Sequence, residues 1–198
     1  VATVALRNLS RHDDNRTKIV KAGGIASLID LLKPKSLPDG MAGATKASLQ
    51  TLSFLAEDDA HKEAIRLEGG IRPLVLLVKQ GTPWVRARAA GLLHKLAATA
   101  ENKVAIAGAG GIPALIMLAL EGTPDGKARA AGCLWKLARN DENRATIARW
   151  GGVPALIAYA ARRSRTAGHT KSIRTHDRTA HAPTSPLDPV SACRVAGC

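Results

Sequence analysis

The sequence predicts an all-α protein built from consecutive helical repeats, and two observations support this fold class. The 198 residues are 45% hydrophobic but only 3% aromatic, and Ala and Leu, which supply much of this content, are strong helix formers. A Gly-Gly pair also recurs four times at a nearly constant spacing, with Ile four positions before each pair and Leu five after it. Self-similarity at a fixed period is typical of repeat architectures. The pairs are Gly23-Gly24, Gly69-Gly70, Gly110-Gly111 and Gly151-Gly152.

Each repeat unit is predicted to contain three helices. A first helix such as 101–107 opens with acidic and Asn residues and ends at the Gly-Gly pair, because glycine accepts the left-handed backbone of a sharp turn. A second helix follows, as in 112–120. Gly-Thr-Pro, at 81–83 and 122–124, then starts the third and longest helix, with Thr as N-cap and Pro at the first helical position. The first interval between glycine pairs is longer than the others, and the excess falls in a Pro-rich loop at 33–40.

The third helix of each unit is predicted to bury one arc of side chains. Projected at 100° per residue, two leucines and a third position recur on the same side of every third helix. The predicted core positions are Leu6, Leu9, Leu52, Leu55, Leu93, Leu96, Leu134 and Leu137, with Ala5, Thr51, Leu92 and Cys133 beside them.

The opposite arc of the third helices is the predicted partner-binding face. Its only acid is Asp125, because the other acids mark helix starts, and Trp with Arg is a pairing enriched at interface hot spots. A merely solvated face is the alternative, and Trp135 could instead pack against the next repeat. Gly91 and Gly132 either widen this face or let helices approach closely. The predicted site residues are Arg7, Asn8, Lys46, Gln50, Phe54, Trp84, Arg88, Lys95, Arg129, Trp135 and Lys136.

These motifs resemble the armadillo repeat family over residues 1–161, through stretches of the form AGGIxxLxxLL and AxxxLxxLA. The resemblance implies a right-handed α-solenoid superhelix of about 3.5–4 three-helix repeats, whose third helices line a concave groove for an extended peptide. HEAT repeats are the alternative, but they have two helices and lack this glycine turn. No polar capping repeat is visible at either end, which suggests a longer parent protein.

The charge pattern predicts an acidic partner. The formal net charge is +13, and the repeat region keeps +8 (22 basic against 14 acidic residues) without residues 162–198. Importin-α carries a Trp/Asn ladder in its groove, but here only Asn8 matches, so the groove resembles the basic groove of β-catenin more closely. We therefore expect a scaffold that binds an extended, acidic protein segment. Binding to nucleic acid or an anionic surface is an alternative, as is docking within a larger enzyme such as a ubiquitin ligase.

Catalysis is not expected. The chain lacks GxSxG, HExxH and phosphate-loop patterns, and its three cysteines have no zinc-ligand spacing. No cofactor, metal, small-molecule substrate or membrane span is predicted. Residues 162–198 are predicted to be a basic, disordered tail, and the protein is expected to be cytoplasmic, nuclear or both.

Overall fold

The computed structural model describes residues 2–33 and 42–161, and all the regular secondary structure in these two segments is α-helical. The predicted tail at 162–198 and nearly all of the Pro-rich loop lie outside the described residues. The described residues form twelve helices, which are α1 Ala2–Leu9, α2 Asp13–Lys21, α3 Gly24–Asp30, α4 Ala42–Leu55, α5 Asp59–Leu67, α6 Ile71–Gln80, α7 Pro83–Leu96, α8 Ala100–Gly108, α9 Gly111–Glu121, α10 Pro124–Leu137, α11 Asp141–Arg149 and α12 Gly152–Ala161.

The helices repeat in threes. Helices α2–α4, α5–α7 and α8–α10 are complete units, α1 is a third helix by its register, and α11 and α12 are a first and a second helix. The third helices pack side by side, α1 against α4, α4 against α7 and α7 against α10, and the second helices α6 and α9 also pack together. This stack is an α-solenoid, so the predicted fold class is confirmed.

The turn between first and second helices uses its two glycines for different reasons. The first glycine of every pair has φ between 72° and 77°, a left-handed conformation that costs an L side chain about 1–2 kcal/mol. The second glycine leaves no room for a side chain. A Cβ on Gly111 would lie 2.6 Å from both Cγ2 and the carbonyl oxygen of Ile106. The recurring isoleucine and the recurring glycine pair are therefore one packing motif.

Side-chain caps start four of the described helices, whereas Thr82, at the predicted cap position of α7, makes no such hydrogen bond. In α10, Thr123 Oγ1 accepts a hydrogen bond from the backbone N–H of Gly126 at 3.2 Å, and Pro124 occupies the first turn. Such a cap satisfies an N–H group that has no partner within the helix. The first helices α5, α8 and α11 are capped in the same way by Asp58, Thr99 and Asn140.

The core lies between the third helices and the first and second helices of each unit. The paired leucines of α4, α7 and α10 are fully buried there, as predicted. The prediction for Leu9 is wrong, since half of its surface is exposed, at 50%, and its neighbour Ala5 is exposed as well. The reason is that α1 is the first helix described, without a first and second helix of its own unit to cover this side.

No single helix in the described segments is long and apolar enough to cross a membrane. The helices α8 and α9 reach the required length and composition only as a pair, and they bend by 79° at their junction.

Candidate partner-binding face

All the predicted site residues lie on the four third helices, and we call this surface the third-helix face. Because these helices pack side by side, side chains from different repeats meet. One pocket of about 190 Å³ shows this, since α4, α7 and α10 all contribute to its lining. The predicted residues that line it are Gln50, Phe54, Arg88, Lys95 and Arg129, joined by Leu49, Ser53 and Gly91.

Polar contacts connect α1 with α4 at one end of the face. Arg7 Nη1 donates to Oε1 of Gln50 at 3.3 Å, and the same guanidinium donates to the side chain of Asn8. Both acceptors are neutral amides. Arg7 therefore has no carboxylate partner in the described part of the chain.

Trp84 brings together two cations from different repeats. Lys46 Nζ, on α4, lies 5.6 Å from the centroid of the Trp84 ring, and Arg88 Cζ, on α7, lies 5.3 Å from it. The ring is half-buried and packs on the core, whereas both cations are exposed. Both distances fall within the range in which the π-face of a ring attracts a positive charge.

The face contains one more acid than the sequence predicted. Glu57, two residues beyond the end of α4, lies on this face, because its Oε1 forms an ion pair with Nζ of Lys95 at 2.5 Å. Lys95 also donates to the carbonyl oxygen of Ser53 at 2.7 Å. Arg129 is paired with Asp125 at 2.8 Å. Two of the predicted cations are thus already neutralised by the chain itself.

Gly91 and Gly132, the two glycines that the sequence placed on this face, have different surroundings. A Cβ on Gly91 would lie 2.6 Å from Nη1 of Arg129, so the arginine of α10 occupies the space above this glycine. A Cβ on Gly132 would be 3.8 Å from Nε2 of His94, an ordinary contact distance. The space at Gly91 is therefore filled by the protein itself and does not widen the face.

His94 is a half-buried member of the face that the predicted site residues did not include. Burial is the main cause that lowers the pKa of His94. The nearby charges of Lys136, Arg129 and Lys95 lower it further. Burial also lowers the pKa of Lys136, and the positive charge of Lys62 acts in the same direction. The sequence signal for His94 was its place one residue before Lys95, on the same arc.

Trp135 projects outward at the α10 end of the face. Its side chain is exposed, with 62% of its surface accessible, so it does not pack against the neighbouring repeat in the described residues. Asn8 is exposed as well. Asn8 extends the face beyond the pocket at the α1 end. Trp135 and the half-buried Lys136 extend it at the α10 end.

Comparison with known proteins identifies the repeat. The family model "Armadillo/beta-catenin-like repeat" matches residues 99–139, the unit that contains α8 to α10. U-box domain-containing protein 17 of Arabidopsis thaliana is 33% identical over 106 residues, which is 50% of this chain but only 14% of that protein. The chain therefore spans a small part of its plant relative.

Solved structures match the whole stack. An engineered protein from the Northeast Structural Genomics Consortium has a TM-score of 0.72 and 28% identity, over 79% of this chain and 63% of that one. A computationally designed armadillo repeat protein for modular peptide recognition has a TM-score of 0.72 and 20% identity, over 79% of this chain and 66% of that one. The matched unit recurs in register on both sides and the stack has the fold of these solved structures, so the chain is an array of armadillo-type repeats.

Proposed function

We propose that the array binds an extended, acidic segment of another protein along the third-helix face. The observation that carries this proposal is a set of cations, one on each third helix, that have no acidic partner among the described residues. They are Arg7 on α1, Lys46 on α4, Arg88 on α7 and Lys136 on α10. The face also includes Glu57 and Asp125, but each is already paired with a cation, so the charge left without a partner has one sign on four adjacent helices.

The spacing of the third helices suits an extended chain. Packed helices lie about 8–10 Å apart, and an extended strand rises about 3.3 Å per residue. One repeat therefore corresponds to two or three residues of a bound segment, so a segment of several residues would reach cations on more than one third helix. The peptide-recognition purpose of the designed armadillo protein supports this use of the fold.

The two neutralised cations, Lys95 and Arg129, contact a ligand only when its carboxylate displaces the acid already paired with each of them. Ion pairs at exposed positions contribute at most about 1 kcal/mol, so a ligand carboxylate can compete with Glu57 for Lys95 at little cost. A charge reversal at Lys95 would, however, place a second negative charge beside Glu57 and disturb the fold. Arg88 and Lys136 are better positions for a test.

The experiment measures the fluorescence anisotropy of a labelled peptide of alternating Gly and Glu. The double variant Arg88→Glu/Lys136→Glu is expected to bind at least about tenfold more weakly than the wild type. The control is Arg72→Glu/Lys79→Glu, which makes the same charge change on the second helix α6. An equal loss in the control would assign binding to net charge and contradict the proposal.

A second candidate function is a docking module of a larger enzyme such as a ubiquitin ligase. The relative named for its U-box domain favours it, because the matched region is a small part of that protein. On this proposal the parent protein modifies the partner that the array holds. Arg88→Glu/Lys136→Glu in the parent protein should then abolish ubiquitination of the bound partner. Undiminished modification would contradict this candidate.

A further inference from the structure

Two arginines at equivalent positions of neighbouring repeats have different surroundings. Arg88 on α7 and Arg129 on α10 occupy the same register position, one repeat period apart. Arg129 Nε donates to Oδ1 of Asp125, four residues earlier on the same helix, at 2.8 Å. The residue that corresponds to Asp125 in α7 is Trp84. Arg88 consequently has no carboxylate at the place where its counterpart has one.

Trp84 replaces that carboxylate with a ring that holds a second cation. Lys46 Nζ and Arg88 Cζ lie 5.6 and 5.3 Å from the same ring centroid, so both charges are confined to the vicinity of one side chain. The residue corresponding to Lys46 one repeat later is Ala87, which carries no charge. Neither cation forms an ion pair within residues 2–33 and 42–161. The result is a concentrated and uncompensated positive charge at the α4–α7 junction.

We propose that Lys46, Trp84 and Arg88 form a subsite for one oxyanion, the carboxylate or phosphate of a side chain in the bound segment. We call these three residues the Trp84 clamp. The bound oxyanion gives Arg88 the counter-charge that the Asp125 carboxylate gives Arg129. This inference rests on the proposed function, because it assigns part of the third-helix face to one class of side chain.

The chemistry of the clamp suits an oxyanion. A guanidinium presents paired N–H groups that match the geometry of carboxylate and phosphate oxygens, and an ammonium adds a point charge with freely oriented donors. The Trp84 ring attracts both cations, so they lie close together although they repel each other. Because they are ordered before the ligand binds, less conformational entropy is lost on binding. At the α7–α10 junction the chain's own Asp125 satisfies the arginine, so the acidic anchor of the partner belongs at the α4–α7 junction.

The test adds a carboxylate beside Arg88 in one variant and removes the carboxylate beside Arg129 in another. Trp84→Asp gives Arg88 the carboxylate that Arg129 already has, and Asp125→Asn removes it from Arg129. Binding is measured by anisotropy with three labelled peptides, of alternating Gly-Glu, Gly-phosphoserine and Gly-Gln. We expect Trp84→Asp to weaken binding of the anionic peptides at least about fivefold. Asp125→Asn should leave that binding unchanged or strengthen it.

A second variant covers the possibility that the half-buried position 84 tolerates Asp poorly. Arg88→Gln changes an exposed side chain, and it should cause a loss comparable to that of Trp84→Asp, with an unchanged circular dichroism melting curve. Trp84→Phe keeps a ring beside both cations and should bind within about twofold of the wild type.

The outcomes separate the inference from the proposed function. Wild-type discrimination of anionic from Gly-Gln peptides, with no loss in Trp84→Asp and Arg88→Gln, overturns the clamp and leaves the proposed function standing. No discrimination by the wild type overturns both. A loss confined to these two variants supports the clamp. Tighter binding of the phosphoserine peptide then identifies the oxyanion as phosphate, and tighter binding of the Glu peptide identifies it as carboxylate.

Discussion

The side chain of Arg129 lies over Gly91 of the neighbouring third helix, so closely that a Cβ there would be 2.6 Å from Nη1. Nε of the same guanidinium forms an ion pair with Oδ1 of Asp125, on its own helix, at 2.8 Å. A glycine in one repeat thus makes room for an ion pair in the next. This arrangement explains why α7 tolerates a residue that weakens helices.

The first prediction compares Gly91 and Gly132, the two glycines of the third-helix face. Gly132→Ala should raise the free energy of unfolding by about 1 kcal/mol, since alanine is the better helix former and its Cβ meets His94 only at contact distance. Gly91→Ala should raise it by less, because Arg129 must move away. Urea unfolding of both variants measures the difference. A larger gain for Gly91→Ala would show that Arg129 is not constrained there.

The second prediction concerns the acid within the face. Glu57→Gln should strengthen binding of an acidic peptide, because it releases Lys95, while the free energy of unfolding changes by less than about 1 kcal/mol. The control is Glu63→Gln, which breaks the ion pair with Arg66 on α5, outside the third-helix face. Peptide anisotropy and urea unfolding distinguish the two variants. Equal gains in affinity would attribute the effect to net charge.

The third prediction tests the two roles in the Gly-Gly turn. Gly110→Ala should cost about 1–2 kcal/mol, the penalty for a side chain in the left-handed conformation. Gly111→Ala should cost more, because its Cβ would press against a backbone oxygen that cannot move aside. Gly108→Ala, at the end of α8 with open space around it, should be neutral or stabilising. Chemical denaturation ranks the three, and a reversed order of Gly110 and Gly111 would contradict this account.

The fourth prediction uses two equivalent leucines. Leu96 is fully buried, and Leu96→Ala should cost about 2–5 kcal/mol. Leu9 occupies the same register position in α1 but is half exposed, so Leu9→Ala should cost less than about 1 kcal/mol. Thermal and urea unfolding provide the comparison. A large loss at Leu9 would mean that this side of α1 is covered in solution.

The fifth prediction concerns the pH dependence of stability. The pKa of His94 is lowered in the folded protein by burial and by nearby cations, so the unfolded chain binds a proton at this residue more readily. The contribution of His94 is therefore intact above its ordinary pKa of about 6.5 and is lost as the pH falls below it. His94→Gln should reduce the loss of stability between neutral pH and pH 5. Identical pH profiles by urea unfolding would rule out this role.

Much of the fold could be predicted from the sequence because its determinants are local and periodic. The glycine pairs, the isoleucine before them and the leucines after them recur at one spacing, and each acts on residues within a few turns of itself. Helix boundaries, turn positions and the buried arcs of α4, α7 and α10 follow from that pattern. The family resemblance rested on the same residues.

The partners of the long side chains on the face depend on the tertiary structure. Lys95 on α7 meets Glu57 from the end of the preceding third helix, and Lys46 meets Trp84 across a repeat boundary. Such contacts are set by how one repeat packs on the next, and each is worth about 1 kcal/mol or less, too little to leave a periodic signal. The residue pattern alone was enough to predict a stack of armadillo-type repeats and to propose a face of its third helices for a partner. Which cations of that face are already neutralised, and which lack a counter-charge, followed from the packing of neighbouring repeats.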